Sequence, residues 1–340
     1  MSRFHTALIA GTLAILTGGT AVAAPAEAVP APSTTSYLQP DGAITLIGND
    51  GMDSLLGKLN ALYAQAHPGA RFTMTLKGSS TALPALTAGV TLLAPMAREA
   101  WRAEAAGFKQ VYGYEATPIR IGYSGYGPRP PAKTPPAIYV NGHNPLAGVS
   151  VAQLAQVFAS GAPDGDVHLW SQLGVDGDWA GRRIHVYGLR DNGGFATAFR
   201  AAHFKGLPFT ATYEPLESYA AVIKAVAADP YGIGLAGWVN AAAVSGDVRI
   251  LPVAEKAGGA YATPAYDDVR QGHYPLSAPV VLYVNHAPGQ PLDPVAKEYV
   301  ALALSSAGQA ALATESAGEE GYVPLSPTDL AAELAKLNAL

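Results

Sequence analysis

Residues 43–51, Ala-Ile-Thr-Leu-Ile-Gly-Asn-Asp-Gly, indicate the fold, because a short apolar strand here ends in a polar, Gly-rich turn. Residues 52–67 follow with Leu55, Leu56 and Leu59 at helical spacing. A strand, a turn and a helix in this order form one unit of an α/β fold. Two later turns of the same kind interrupt apolar runs, and they are Gly78-Ser79-Ser80-Thr81 and Arg190-Asp191-Asn192-Gly193-Gly194.

These three turns have the composition of an anion site. Each is followed by residues that can start a helix, where free backbone N–H groups carry a partial positive charge. Such a turn can hold an oxyanion. Arg190 opens the third turn, and a guanidinium can fork onto two oxygens. We therefore expect the three turns to surround one negatively charged ligand.

The alternation of strands and helices continues along the chain. Such alternation predicts mostly parallel sheets with right-handed crossovers, in which ligands bind at the carboxyl ends of strands. Pro84 is expected in the first turn of its helix, and Ser150 and Ser326 are expected as helix caps. The predicted strands are 43–48, 71–76, 137–140, 183–189, 233–236 and 280–284, and the predicted helices are 52–67, 82–88, 98–106, 151–159, 195–204, 218–228, 294–305, 308–314 and 327–337.

The N-terminal residues predict export. Residues 1–5 are weakly basic, 7–17 are apolar but too short to span a bilayer, and Ala21-Val22-Ala23 has a small-x-small pattern. This predicts a cleavable signal peptide over 1–23, the alternative being a disordered or helical tail. The sequence contains no Cys, so it offers no lipid attachment site and no disulfide. We expect a periplasmic or secreted protein, with a flexible leader over 24–39.

Composition limits the classes of function. The remaining chain is long enough for two domains, and 49% of all residues are apolar. The net charge of −5 argues against a nucleic-acid-binding protein with a broad basic face. The eight His residues show no metal-ligand spacing, and no cofactor is predicted. A hydrolase is disfavoured, since Ser124 in Gly122-Tyr123-Ser124-Gly125 lacks one Gly of a nucleophile elbow.

Several further segments follow one another in an order typical of one protein family. With them, the chain resembles the phosphate-binding proteins of bacterial phosphate ABC transporters, which are PstS-like type II periplasmic binding proteins. The resemblance covers almost the whole chain after the leader. The matching segments are 78–83, 92–98, 140–146, 154–161, 170–174, 190–199, 231–234 and 274–279.

This resemblance implies an α/β fold of two lobes, with mixed, mostly parallel sheets and helices on both faces. The first lobe would hold residues 40–135 and 280–340, and the second would be the insertion 136–279. Strands near 120–140 and 270–285, beside the Pro-rich run 125–136, would connect the lobes. The ligand, inorganic phosphate or a similar oxyanion, would lie in the cleft, and a monomer would deliver it to ABC permease subunits after hinge closure.

The resemblance also implies the ligand contacts. Ser79, Ser80 and Thr81 match a loop that donates hydroxyl and N–H groups, and Arg190 matches the family's Arg. The family's Ser-Gly-Thr after that Arg is replaced by Gly193-Gly194-Phe195, or by Asn192-Gly193-Gly194, which removes two hydroxyl donors. Ala97-Arg98 stands where many members carry an acidic residue. The predicted anion-binding residues are Asn49, Asp50, Ser79, Ser80, Thr81, Arg98, Arg190, Asn192, Gly193 and Gly194.

Each candidate has a structural alternative. Arg190 could pair with Asp191 or Glu214 on the surface, and Arg98 could be a surface residue at a helix start. Ser79–Thr81 could serve only as a helix cap, and Asp50 could cap the helix at Met52. Trp170, Trp179 and Trp238 are expected to pack in the core or on a lobe surface. Two function classes remain open: a solute-binding protein for an ABC transporter, and a degenerate relative that acts as an interaction or sensory module or binds another ligand.

Overall fold

Residues 37–129, 132–244 and 246–340 are described by a computed structural model of the chain. The predicted signal peptide and most of the predicted leader lie outside the described residues. The end of that leader was wrongly assigned, because Tyr37 is buried and its hydroxyl donates to Asp293 at 3.1 Å. Among the described residues, no helix is both long enough and apolar enough to cross a membrane.

The first part of the chain alternates strands and helices as predicted. A 3-10 turn, Asp50–Met52, connects the first strand to the first helix. The first two strands pair in parallel, with Ile44 beside Phe72. The elements are β1 (Ile44–Gly48), α1 (Asp53–Ala66), β2 (Phe72–Leu76), α2 (Ser79–Thr87), β3 (Ala94–Met96), α3 (Arg102–Tyr112) and β4 (Thr117–Ser124).

The middle of the chain forms a second α/β region. The predicted cap at Ser150 is confirmed, since its hydroxyl accepts from the Gln153 N–H at 3.2 Å. The elements are β5 (Lys133–Thr134), β6 (Ala137–Asn141), β7 (Val149–Ser150), α4 (Val151–Phe158), β8 (His185–Leu189), α5 (Gly194–His203), β9 (Tyr213–Leu216), α6 (Tyr219–Ala228), β10 (Gly232–Ala236), β11 (Val239–Asn240), β12 (Val248–Ile250), β13 (Val253–Ala254) and α7 (Tyr266–Arg270).

The last part of the chain returns to the first region. Ser326 caps the final helix, with Pro327 at its first position, as predicted. The elements are β14 (Ala278–Val284), α8 (Pro294–Leu304), α9 (Ser306–Thr314), β15 (Val323–Pro324) and α10 (Pro327–Asn338).

Each of the two regions has one main sheet, and the chain crosses between the regions at β4 and β14. The middle region has a mixed five-stranded sheet in the order β12-β6-β10-β8-β9, in which β8 is parallel to both neighbours. The other sheet has the order β15-β4-β14-β3 and is antiparallel, because β4 leaves toward the middle region and β14 returns from it. Ser124 at the end of β4 lies opposite Ala278 at the start of β14.

A continuous apolar core connects the sheets. One cluster of packed buried side chains includes Leu46 in β1, Ile121 in β4, Val140 in β6 and Val186 in β8. All four are at most 2% exposed, and two smaller clusters, around Phe108 in the first region and around Val222 in the middle region, complete the core. This shared core holds the two regions against each other.

Two helix starts differ from the prediction by three or four residues, and α3 also ends at Tyr112 rather than at residue 106. Helix α2 begins at Ser79 rather than Ala82, which places Pro84 in the helix interior instead of the first turn. Helix α3 begins at Arg102 rather than Arg98. The Glu104 carboxylate accepts from the Trp101 N–H at 2.7 Å and also binds Arg98, and these contacts fix residues 98–101 ahead of the helix.

Candidate anion-binding site

A cavity of about 1030 Å³ lies between the first region of the chain and helix α5. Its wall includes the ends of β1, β3 and β4, the start of α2 and the segment before α3. Of the predicted site residues, it brings together Asn49, Asp50, Ser79, Ser80, Arg98 and Gly194.

Ser79 lies at the point where three segments of the polar wall meet. Its Oγ accepts a hydrogen bond from Asn49 Nδ2 at 2.9 Å and another from the Ala97 N–H at 3.2 Å. A hydroxyl oxygen has two lone pairs and one proton, so these bonds occupy its acceptor capacity. The Ser79 proton is therefore left to donate to a ligand in the cavity.

The start of helix α2 supplies further donors. Its N-cap is Gly78, with φ +104°, and no side chain caps the helix there. The proposal that Ser79–Thr81 only form a cap is therefore wrong. Ser80 lines the cavity, whereas Thr81 donates its hydroxyl to the Gly78 carbonyl at 2.8 Å and does not line it.

Asp50 begins the 3-10 turn after β1 and is exposed in the cavity wall. No side-chain cap hydrogen bond forms at the start of this turn or of α1. The cap function considered for Asp50 is therefore wrong. Its carboxylate adds negative charge at the edge of the site.

Arg98 lines the cavity with its charge already paired. Its Nη1 and Nη2 each donate to Glu104 at 2.8 Å, and the guanidinium lies 4.0 Å from the centre of the Trp101 ring. Arg98 is not a helix-start residue, since α3 begins four residues later. Because its guanidinium already donates to Glu104, Arg98 offers little free charge to a ligand. Its planar group instead helps to hold the Trp101 ring in place.

The third predicted turn reaches the cavity only at its end. The Arg190 side chain is 68% exposed, its Nη2 lies 3.5 Å from Glu217, and it does not line the cavity. Asn192 and Gly193 do not line it either. The surface partner is Glu217, neither Asp191 nor Glu214. In this structure the third turn contributes Gly194 alone.

Trp101 covers the start of helix α5. A Cβ atom added to Gly194 would lie 3.4 Å from the Trp101 ring, so the indole packs directly on this glycine. The Trp101 Nε1 is buried and has no hydrogen-bond partner among the described residues. A tryptophan from the first region thus touches the N-terminus of a helix in the middle region.

Two buried serines of the cavity wall were not predicted as ligand contacts. Ser124 is 1% exposed and Ser277 is partly buried, and within the described part of the chain the Oγ of each lacks a partner. They lie at the end of β4 and just before β14, where the chain crosses between the regions. The sequence pattern suggested Ser124 only as a nucleophile. The signal that could have identified Ser124 and Ser277 is their position in the segments where the chain crosses between the regions.

The opposite wall of the cavity is apolar and largely aromatic. Helix α5 contributes Phe195 and Phe199, whose ring centroids are 5.9 Å apart, and the Tyr219 ring meets Phe195 edge-on at 5.4 Å. Trp238 also lines the cavity, whereas Trp170 is buried in the core. The polar wall thus faces an aromatic one.

His203 is the titratable residue of the aromatic wall. Its ring packs against Phe199 at 4.5 Å, and burial lowers its pKa to about 4. The imidazole is therefore uncharged at neutral pH. This wall presents no positive charge from His203 to a ligand.

The remaining cations of the wall are Lys133 and Arg102. Lys133 is paired, with its Nζ 2.5 Å from Glu320 and 3.2 Å from Glu319, and Arg102 is exposed. An anion in this cavity would thus depend mainly on hydroxyl and backbone donors. Within residues 37–129, 132–244 and 246–340, no group of three or more His, Cys, Asp or Glu side chains could hold a metal ion.

Two α/β regions with a ligand-sized cavity between them define a two-lobe substrate-binding protein. A family model described as a PBP superfamily domain matches residues 28–307. The chain belongs to this superfamily, and the predicted fold class is confirmed.

Relatives of known name agree with this assignment. The phosphate-binding protein PstS of two Pseudomonas aeruginosa strains is 30% identical over 309 residues, covering 89% of this chain and 90% of each relative. An ABC-type phosphate transport receptor from Vibrio cholerae aligns with TM-score 0.53 and 20% identity, over 82% of this chain and 99% of that one. PstS from Borrelia burgdorferi aligns with TM-score 0.57 and 14% identity, over 84% and 99%. These two structures support the fold alone.

Proposed function

We propose that this protein captures phosphate, or a similar tetrahedral oxyanion, in the cavity and delivers it to the membrane subunits of an ABC transporter. The names of the Pseudomonas relatives support both the ligand and the transporter. The protein would act as a monomer in the periplasm or outside the cell, after removal of residues 1–23, and would bind without catalysing a reaction.

The hydroxyl of Ser79 is the observation that favours this proposal most. It is buried, it already accepts two hydrogen bonds, and its proton is available only to the cavity. A buried donor without a partner costs about 1–3 kcal/mol. Ser80 and the uncapped backbone N–H groups at the start of α2 lie beside it. An oxyanion at this point accepts hydrogen bonds from the Ser79 hydroxyl and from these backbone donors.

Calorimetric titration of the chain from residue 24 onward with phosphate, sulfate and arsenate tests this function. We expect one site for at least one of these anions, with Kd of about 1 μM or tighter. Ser79→Ala should weaken binding at least about tenfold, because it removes a charge-assisted hydrogen bond. Ser54→Ala is the matched control, since Ser54 is exposed on α1 and pairs with Glu315 away from the cavity.

A second candidate follows from the third turn. Arg190 lies outside the cavity, and Trp101 covers the start of α5, where the resemblance places the anion. These two features fit a degenerate relative that serves as an interaction or sensory module. Absence of heat and of a thermal shift with all three anions would favour this candidate over transport.

A further inference from the structure

We propose that the physiological ligand is an organic oxyanion, a phosphate or phosphonate group that carries an uncharged aromatic or branched aliphatic substituent. This inference rests on the proposed function and specifies the ligand class of the same cavity. The polar wall would hold the anionic group, and the aromatic wall would hold the substituent.

The size of the cavity is the first argument. In the lobe arrangement of this structure the cavity has a volume of about 1030 Å³ and opens to solvent, so it can admit a ligand much larger than a single tetrahedral oxyanion. Inorganic phosphate has only five non-hydrogen atoms. Contact between phosphate and the polar wall would leave the partly exposed rings of Phe195 and Tyr219 facing water, whereas a substituent on the phosphorus would extend toward them.

The division of the cavity is the second argument. The donors, Ser79, Ser80 and the backbone N–H groups at the start of α2, come from the first region. The rings of Phe195, Phe199 and their neighbours come from the middle region. Donors on one side and rings on the other match a ligand with one charged end and one apolar end, because apolar surface gains about 25 cal/mol per Å² on leaving water.

Phe195 provides the third argument. In the alignment in which Gly193-Gly194-Phe195 replaces the family's Ser-Gly-Thr, the resemblance implies a hydroxyl residue at this position, and a phenylalanine there removes a donor and adds apolar surface. In the shifted alignment, with Asn192-Gly193-Gly194, Phe195 still adds apolar surface to the cavity wall, in edge-on contact with Tyr219. The small residues Ala198 and Ala202 continue the wall along α5 and leave room for a substituent.

The charges of the aromatic wall agree with an uncharged substituent. His203 is neutral at neutral pH because of its burial, and Arg200 on the same helix packs over Phe209 and does not line the cavity. Glu255 is the acidic residue of the middle region in the wall, and it would repel a second negative group.

Calorimetry with inorganic phosphate, methyl phosphate and phenyl phosphate tests the inference on the unaltered sequence from residue 24 onward. We expect phenyl phosphate to bind about ten- to a hundredfold more tightly than methyl phosphate and also more tightly than inorganic phosphate. If inorganic phosphate binds equally well or better than phenyl phosphate, this inference is wrong and the proposed function stands. If none of the three binds, this inference is wrong, and the proposed function fails as well when sulfate and arsenate also give no heat.

Variants of α5 locate the substituent. Ala198→Phe fills the aromatic side of the cavity and should reduce the affinity ratio of phenyl to methyl phosphate to about one. Ala202→Phe is a second variant for the case that Ala198→Phe does not fold. Ala61→Phe on α1 is exposed and outside the cavity, and it should keep the ratio of the unaltered protein. An unchanged ratio in a folded α5 variant would place the substituent elsewhere and overturn the inference.

Discussion

Ser79 connects the end of β1, the start of α2 and the segment after β3 through two hydrogen bonds that it accepts. A residue in this position affects both the shape of the polar wall and the direction in which its own proton points. Asn49 takes part as the donor to Ser79, so Asn49→Ala would free the serine to rotate. The function of Asn49 is thus to orient a neighbour.

Arg190 gives a prediction at the scale of one residue. Because its side chain is exposed and 3.5 Å from Glu217, Arg190→Ala should change the affinity for phosphate by less than about threefold, as exposed ion pairs contribute about 0–1 kcal/mol. Arg71→Ala is a matched control, since Arg71 is also exposed and lies 3.5 Å from Asp41. A tenfold loss for Arg190→Ala alone in calorimetry would mean that ligand binding turns this strand end into the cavity.

His203 predicts a pH dependence of stability. Its pKa is about 4 in the folded protein and about 6.5 in the unfolded chain, so below pH 6.5 the unfolded state binds more protons. The free energy of unfolding should therefore decrease as pH falls from 6.5 to 4, by about 2 kcal/mol between pH 7 and pH 5. Urea denaturation of the parent protein and of His203→Gln measures this, and an equal pH dependence in both would contradict it.

Helix α2 carries a proline at an interior position, where a helix normally has a backbone N–H that donates a hydrogen bond. Pro84 is the sixth residue of α2 and cannot donate to the carbonyl of Ser80. Pro84→Ala should raise the free energy of unfolding by about 1–2 kcal/mol, measured by urea denaturation. Pro327→Ala at the first position of α10 is the control and should give no gain, because no intrahelical N–H bond is made there. Equal effects of the two substitutions would be inconsistent with this interpretation.

Most elements could be predicted from the sequence because their signals are local. Ser150 with Gln153, and Ser326 with Pro327, marked helix starts that the structure confirms. The start of α3 could not be predicted this way, because the contact of Glu104 with Arg98 and Trp101 depends on side-chain geometry.

The candidate site was less predictable than the fold. Ser79 and Ser80 follow a Gly-rich turn and were identified, and the structure places them in the cavity wall. Ser124 and Ser277 carry no local pattern, since they come together only when β4 and β14 pair at the crossing, and Trp101 meets Gly194 only in the folded chain. The motif predicted Arg190 as an anion-binding residue, but the side chain is exposed and does not line the cavity. A motif gives the residue type at a position and not the direction of its side chain.

At the scale of the whole molecule, the shared core predicts cooperative unfolding. The main apolar cluster runs without interruption from β1 through β4 to β8 and so joins the two lobes, whereas each lobe adds only a smaller cluster of its own, around Phe108 in the first and around Val222 in the second. Calorimetric heating should give one transition with equal calorimetric and van't Hoff enthalpies. Two resolved transitions, or a calorimetric enthalpy well above the van't Hoff value, would show that the lobes unfold separately.

The stacking of Arg98 on Trp101, and of Trp101 on Gly194, makes this indole sensitive to the occupancy of the site. Two of the four tryptophans, Trp101 and Trp238, border the cavity, while Trp170 is enclosed in the core. A guest that lies against the Trp101 ring would alter the ultraviolet emission of that ring. The chain thereby carries its own optical reporter, by which uptake and release can be timed in a stopped-flow instrument without attaching a dye.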